Sequence, residues 1–268
     1  MNPSMTLRAI GLVASALAPW RATVCQTATS TAGTLEKGDF RFAYDERGIS
    51  LLANAHDPFG ATLTAGSPPS GRGGRGGAPS LAPTLGLTLG YRAGADAEWT
   101  TVATRSPTWN ASPERGVVTY TNAPTGAPVK ITETYRIDGN ALDWTIDLES
   151  ISAKPVRIGD LSINIPAAGP TGESPQQIFE RGFLRQQFVS GSGSFFYYVR
   201  ASGAPPFLLV TVRPGTKLEY FTGGGRGGGQ VFVHSARTGG GETRGTWRQA
   251  HTALDLSPAG RPGSRASY

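Results

Sequence analysis

Period-two alternation of apolar and polar residues is the dominant signal along this chain, and it is clearest from Ala141 to Glu149. There Leu142, Trp144, Ile146 and Leu148 fall on one face and Asp143, Thr145, Asp147 and Glu149 on the other, as in a strand with one side in a core and one in water. Val129 to Ile137 alternates in the same way, and Asp138-Gly139-Asn140 supplies turn chemistry between the two segments, so the pair reads as a hairpin. Further strands are expected at Asp39–Tyr44, Ile49–Asn54, Thr84–Tyr91, Val117–Thr121, Val156–Ile165, Ser194–Val199, Phe207–Val212, Lys217–Phe221 and Gln230–His234. The unbroken apolar run Phe207–Val212 predicts a strand covered on both faces. Gln176–Phe188 fits either a short helix or a strand bent at Gly182. So many short strands separated by turn signals predict an all-β fold, a large two-sheet antiparallel β-sandwich occupying residues 35–256.

Composition adds compartment and excludes some partners. Ala9 to Ala18, behind Arg8, has the length of a signal-peptide core and is too short to span a bilayer, so residues 1–28 read as a secretion signal and the protein as secreted or periplasmic. Cys25 is the single cysteine, which excludes an intramolecular disulfide and a cysteine-based zinc site. The net charge of +6 suggests nucleic acid at first sight. Its arginines, however, concentrate in the leader, in the Gly-rich segments 67–80 and 223–229 and after residue 234, and no aromatic residues interleave with the three in the Gly-rich segments, so no nucleic-acid partner is expected. Those two segments read as flexible loops, and 257–268 as a disordered tail or truncated linker.

Candidate chemistry is scattered. Asp45, Glu46, Asp57, Glu173, Glu180 and Glu219 are carboxylates on plausible loops, but nothing in the sequence pairs two of them across a cleft as glycoside hydrolysis requires. His56, His234 and His251 lack metal-site spacing, and no metal or other cofactor is expected. Asn54-Ala55-His56-Asp57-Pro58 could offer donors and acceptors to sugar hydroxyls, although Asx-turn bonding by Asn54 and Asp57 is the simpler reading. Ser190-Gly191-Ser192-Gly193-Ser194 lacks the strand-to-helix context of a nucleophile elbow and reads as a turn. Among the aromatic residues, Trp99, Trp109, Trp144, Trp247 and the run Phe195–Tyr198 could include a sugar-stacking platform.

The stretch from Phe179 to Phe195 (FERGFLRQQFVSGSGSF), with Pro205–Leu208, Pro214–Phe221 and Asn54–Pro58, resembles the amino-terminal region of a bacterial family of uncharacterised six-hairpin glycosidase-like proteins. That resemblance implies a β-supersandwich of the galactose mutarotase-like kind, followed in a full-length protein by an (α/α)6 helical domain bearing the catalytic acids. It also implies that sandwich loops border the cleft, which makes His56, Asp57, Glu180, Arg181 and Arg185 candidate saccharide-binding residues, with catalytic residues unassigned. The expectation is therefore a non-catalytic module that contacts a poly- or oligosaccharide or serves as scaffold. The alternative is a small sugar-active enzyme of the mutarotase or epimerase type, with a histidine and a carboxylate as acid and base.

Overall fold

A computed structural model of the chain describes residues 32–45, 48–63, 85–103, 108–122, 127–165, 174–223, 229–239 and 250–268. The expected leader with Cys25, the 67–80 loop, nearly all of the 223–229 loop, and Glu46, Glu173 and Trp247 lie outside these residues.

Among the described residues the strands form four antiparallel sheets. The first is β1 (Gly33–Lys37), β2 (Phe40–Asp45) and β3 (Gly48–Asn54), in that order. A second has the order β14 (Tyr220–Gly223), β15 (Gly229–Ser235), β10 (Val156–Ile165), β4 (Gly86–Ala93) and β5 (Thr100–Ala103), with β16 (Leu254–Leu256) also pairing with β10. The third is β11 (Phe183–Phe188), β12 (Phe195–Arg200) and β13 (Leu208–Thr211). The fourth runs β17 (Arg265–Ser267), β9 (Ala141–Ser150), β8 (Val129–Asp138), β7 (Val117–Asn122) and β6 (Thr108–Ser112).

The all-β class holds, but the two-sheet sandwich, and with it the supersandwich of galactose mutarotase-like kind, is overturned: the four sheets are arranged as the blades of a four-bladed β-propeller. The physical reason is that alternation reports which face of a strand is buried. It gives the same signal whether that face meets one opposing sheet or several blades around a centre.

Within each sheet the pattern works as expected. The β8–β9 hairpin pairs from Val129↔Ser150 to Asp138↔Ala141, and Gly139 takes φ 59° in its turn, a conformation that residues with a Cβ avoid. Ile131, Ile137, Ile146 and Leu148 from this hairpin join Leu35, Phe42, Ile49, Leu87, Leu89, Ile158 and Phe196 in one hydrophobic cluster fed by all four sheets. The two hairpin turns touch back to back. A Cβ on Gly38, at φ 55°, would stand 1.9 Å from the carbonyl oxygen of Gly139. Gly38→Ala is therefore expected to cost about 1–3 kcal/mol by overpacking against unyielding backbone, read as a lowered thermal midpoint, whereas Gly60→Ala, at φ 60° with open space around it, loses only the backbone preference.

Three local readings change. Gln176–Phe188 is both alternatives in turn: α1 (Pro175–Arg181), with Ser174 and Gln177 closing a capping box at its start, then β11 after Gly182. Phe207–Val212 is not covered on both faces, because β13 is an edge strand with Leu209 59% and Val210 41% exposed. Residues 257–268, assigned by composition to a loose tail, contribute β17, which pairs with β9, while Ser264 is buried and Arg265 donates to Glu149 at 2.5 and 3.1 Å. That bond from Arg265 holds the Glu149 carboxyl below its ordinary range. No helix among the described residues is long and apolar enough to cross a membrane.

Candidate functional site: a central cleft and the hydrogen-bond relay beside it

The inner faces of the four sheets do not close completely. They leave a cleft of about 670 Å³, within the ~300–1,000 Å³ typical of small-ligand sites. Its walls are Leu52 and Ala53 from β3, Ile163 and Ile165 from β10, Phe196 and Tyr198 from β12, and Trp144 and Ile146 from β9. Trp144 stacks on Tyr135 with ring centroids 5.0 Å apart and planes at 23°. Polar groups stand at its rim, on turns and strand ends: Asp39, Asn54, Asn140, Asp143 and Arg213, the last two joined as an exposed ion pair at 3.0 Å. Edge strand β13 and the prolines flanking it form the remaining lip.

Tyr268 also lines the cleft, and behind it runs a chain of hydrogen bonds that ends on a buried carboxylate. Glu219 precedes β14, and its main-chain N–H donates to Phe232, which turns its side chain inward toward Ser235 and Thr252. Its Oε2 accepts from Ser235 N at 2.9 Å, Ser235 Oγ at 2.8 Å and Thr252 N at 2.9 Å, and its Oε1 accepts from the Thr252 hydroxyl. With both hydroxyl hydrogens committed to Glu219, the histidines must supply theirs. His251 Nδ1 donates to Ser235 Oγ at 2.8 Å, and His234 Nδ1 to Thr252 Oγ1 at 3.0 Å. The Tyr268 hydroxyl then donates to His234 Nε2, at 2.6 Å. Gly239 makes room for this packing, since a Cβ there would lie 2.1 Å from His251 Nδ1.

Burial sets the protonation of this group. It lowers the pKa of His234 below 6.5, against the opposing pull of Glu219, and so keeps the imidazole neutral near pH 7. Burial, helped by the Glu219 charge, raises the Tyr268 phenol to about 12. Because the folded pKa of His234 lies below the unfolded one, its contribution to stability is complete above about pH 6.5 and is lost as the pH falls through the folded value. The thermal midpoint of the native chain is thus expected to fall between pH 7 and pH 5, and the slope to flatten in His234→Gln.

Of the residues singled out in the sequence, Trp144 lines the cleft and Glu219, His234 and His251 meet in the relay, whereas the five that the resemblance marks for saccharide binding lie elsewhere. His56 follows β3 with its side chain 73% exposed and its ring 3.6 Å from Asp39, while its N–H donates to Asn54 Oδ1 at 2.8 Å, the Asx turn of the simpler reading. Asp57 is directed inward: its carboxylate accepts from Phe59 N, from Ala61 N and, at 2.6 Å, from Arg200 Nη2, with both charged side chains fully buried. On α1, Glu180 accepts from Gln176, and the Arg181 guanidinium sits 5.6 Å above the Phe59 ring. Arg185 lies over Phe221 at 5.3 Å and bonds the Tyr198 phenol, whose pKa burial raises to about 12. These five do not form one site: Arg181 and the Asp57–Arg200 pair meet at Phe59, His56 turns to Asp39, Glu180 bonds within α1, and Arg185, on β11, lies over Phe221. In the serine–glycine segment, Ser194 is buried, donating to Gly191 O and accepting from Ser190 N, so it closes a turn as expected.

The relay was out of reach of the sequence reading because its members are distant in the chain and meet only through strand register. A partial signal existed: Glu219 stands between apolar residues in Leu218-Glu219-Tyr220, where a solvated carboxylate would not be expected.

No protein-family model matches the chain, and no curated protein matches it. Among solved structures, a polysaccharide lyase matches with a TM-score of 0.59 and 16% identity, over 87% of this chain and 32% of the lyase chain. The likeness is one of fold, and the chain spans about a third of that protein's length.

Proposed function

We propose that this chain is the saccharide-holding β module of a polysaccharide-processing protein, non-catalytic in itself, and that it takes a sugar chain in the central cleft. The observation that carries this reading is the composition of the cleft: an aromatic wall at Trp144, backed by buried Tyr135, against which the C–H face of a pyranose can lie, and a rim of amide, carboxylate and guanidinium groups placed for its hydroxyls. The fold shared with part of a polysaccharide lyase supports the substrate class, and the resemblance seen around Phe179–Phe195 supports a role beside a helical domain in an exported protein. Affinity electrophoresis through gels containing different polysaccharides tests it. Retardation of the native chain by at least one polysaccharide is expected, and markedly weaker retardation of Val210→Trp, which plugs the lip of the cleft from a half-exposed edge position. Unchanged mobility of the folded native chain in every gel would refute the reading.

A second reading is favoured by one observation, the bond to neutral His234 from the hydroxyl of Tyr268, a residue that lines the cleft. In it the Tyr268–His234–Thr252–Glu219 chain moves a proton to or from a bound sugar. Turnover of a retained polysaccharide that His234→Gln abolishes without loss of retention would select it; retention without turnover selects the module.

A further inference from the structure

Among the described residues nothing covers the outward face of the three-stranded sheet β11–β13, and none of its side chains is charged. The register places Phe188 opposite Phe195, and Gln186, Tyr197 and Leu209 in the next row, while Phe207 leans on Tyr197 at 6.2 Å between ring centroids. Phe188 and Phe195 stack at 5.9 Å with planes at 29°. Phe188 is 54%, Phe195 37%, Phe207 51% and Leu209 59% exposed, a density of bare rings that a solvated sheet face does not ordinarily carry. The arginines of these strands, Arg185 and Arg200, occupy the opposite side, over Phe221 and Phe183.

Size and position decide among occupants. Two strands of six residues and one of four, about 4.8 Å apart, present a face of at most roughly 20 by 14 Å, under 300 Å² in footprint and well short of the ~800 Å² per partner of a stable protein interface. Flat rings interleaved with an amide and hydroxyls suit a narrow ligand instead. The strip also leads somewhere: Phe207 and Leu209 belong both to it and to the lip of the central cleft, whereas Phe188, Phe195 and Tyr197 line no part of that cleft.

We propose that the Phe188–Phe195–Tyr197–Phe207 strip is a second saccharide subsite that binds a neutral polysaccharide by ring stacking and guides it over β13 into the cleft. This deepens the saccharide reading above and rests on it for the ligand class. The absence of charge on the strip selects neutral chains over uronate or sulfate polymers, since a charged chain would lose solvation there without gaining a counter-ion.

The test is retention of the whole chain on microcrystalline cellulose, curdlan, mannan and chitin, with alginate beads as the acidic comparison, for the native protein, Phe195→Ala/Tyr197→Ala and Val210→Trp. Circular dichroism confirms the fold and light scattering gives the oligomeric state. The native chain is expected to be held by at least one neutral polymer and not preferentially by alginate, with at least tenfold weaker retention in the double variant and persisting retention in Val210→Trp. Failure of the folded native chain on all neutral polymers, or equal retention of the double variant, overturns the subsite. So does a native dimer that the double variant renders monomeric, because the face then serves a second copy of the chain. Loss of retention in Val210→Trp alone overturns the strip while leaving the cleft reading standing; loss in the double variant alone, with no retardation difference for Val210→Trp in the polysaccharide gels, does the reverse.

Discussion

Asp57→Ala is expected to lower the unfolding free energy by about 3–5 kcal/mol, seen as a fall in the urea midpoint at unchanged slope. The Arg200 guanidinium is fully buried and has its donors assigned: Nη2 to Asp57 at 2.6 Å, Nη1 to Pro205 O at 2.5 Å and Nε to Arg181 O at 3.2 Å, with the rings of Phe59 and Phe183 on its flanks. Removing the carboxylate leaves a buried cation with neutral acceptors only, and it also strips Phe59 N and Ala61 N of their acceptor. Because the penalty comes from the orphaned charge, Asp57→Asn/Arg200→Met should be less destabilised than Asp57→Ala. A loss below about 1 kcal/mol in Asp57→Ala would instead be the behaviour of a solvated pair. The pair ties the 54–61 turn to β12, so it also fixes the approach of Asn54 to the cleft rim.

Glu219→Ala carries the second large effect, about 3–4 kcal/mol, from leaving several buried donors unpaired at once. The main-chain N–H groups of Ser235 and Thr252 and both hydroxyls lose their common acceptor, and the hydroxyls that orient the two histidines are no longer fixed by it. Thermal unfolding monitors the stability change. A separate readout is the pH dependence: with the Glu219 charge gone, the pull that opposes burial disappears, and the His234 pKa should fall further, which proton NMR of the imidazole follows directly. A His234 resonance that titrates unchanged in Glu219→Ala would contradict the relay.

What the residues alone revealed follows from how far each signal reaches. The β8–β9 hairpin was legible because its partners adjoin in sequence and its alternation and turn residues agree. Central β10 was legible as an apolar strand, yet its neighbours β4, β15 and β16 come from opposite ends of the chain, and nothing local encodes those pairings or the division into four sheets. β17 was hidden because Arg265-Ala266-Ser267 has no apolar alternation of its own; its place is secured by pairing with β9 and by Arg265 on Glu149. Asp57 carried two readings in the sequence, and the unseen partner Arg200, 143 residues away, is what turns it inward. The relay shows the same limit, since Glu219, His234 and His251 are unremarkable singly and acquire meaning only in contact.

The most direct measurement is a glycan array probed with the whole chain and with Val210→Trp. The native protein is expected to bind a defined set of oligosaccharides, and the variant, equally folded, to bind them at least tenfold more weakly. A folded native chain that binds no glycan on the array would contradict the claim that the cleft holds sugar.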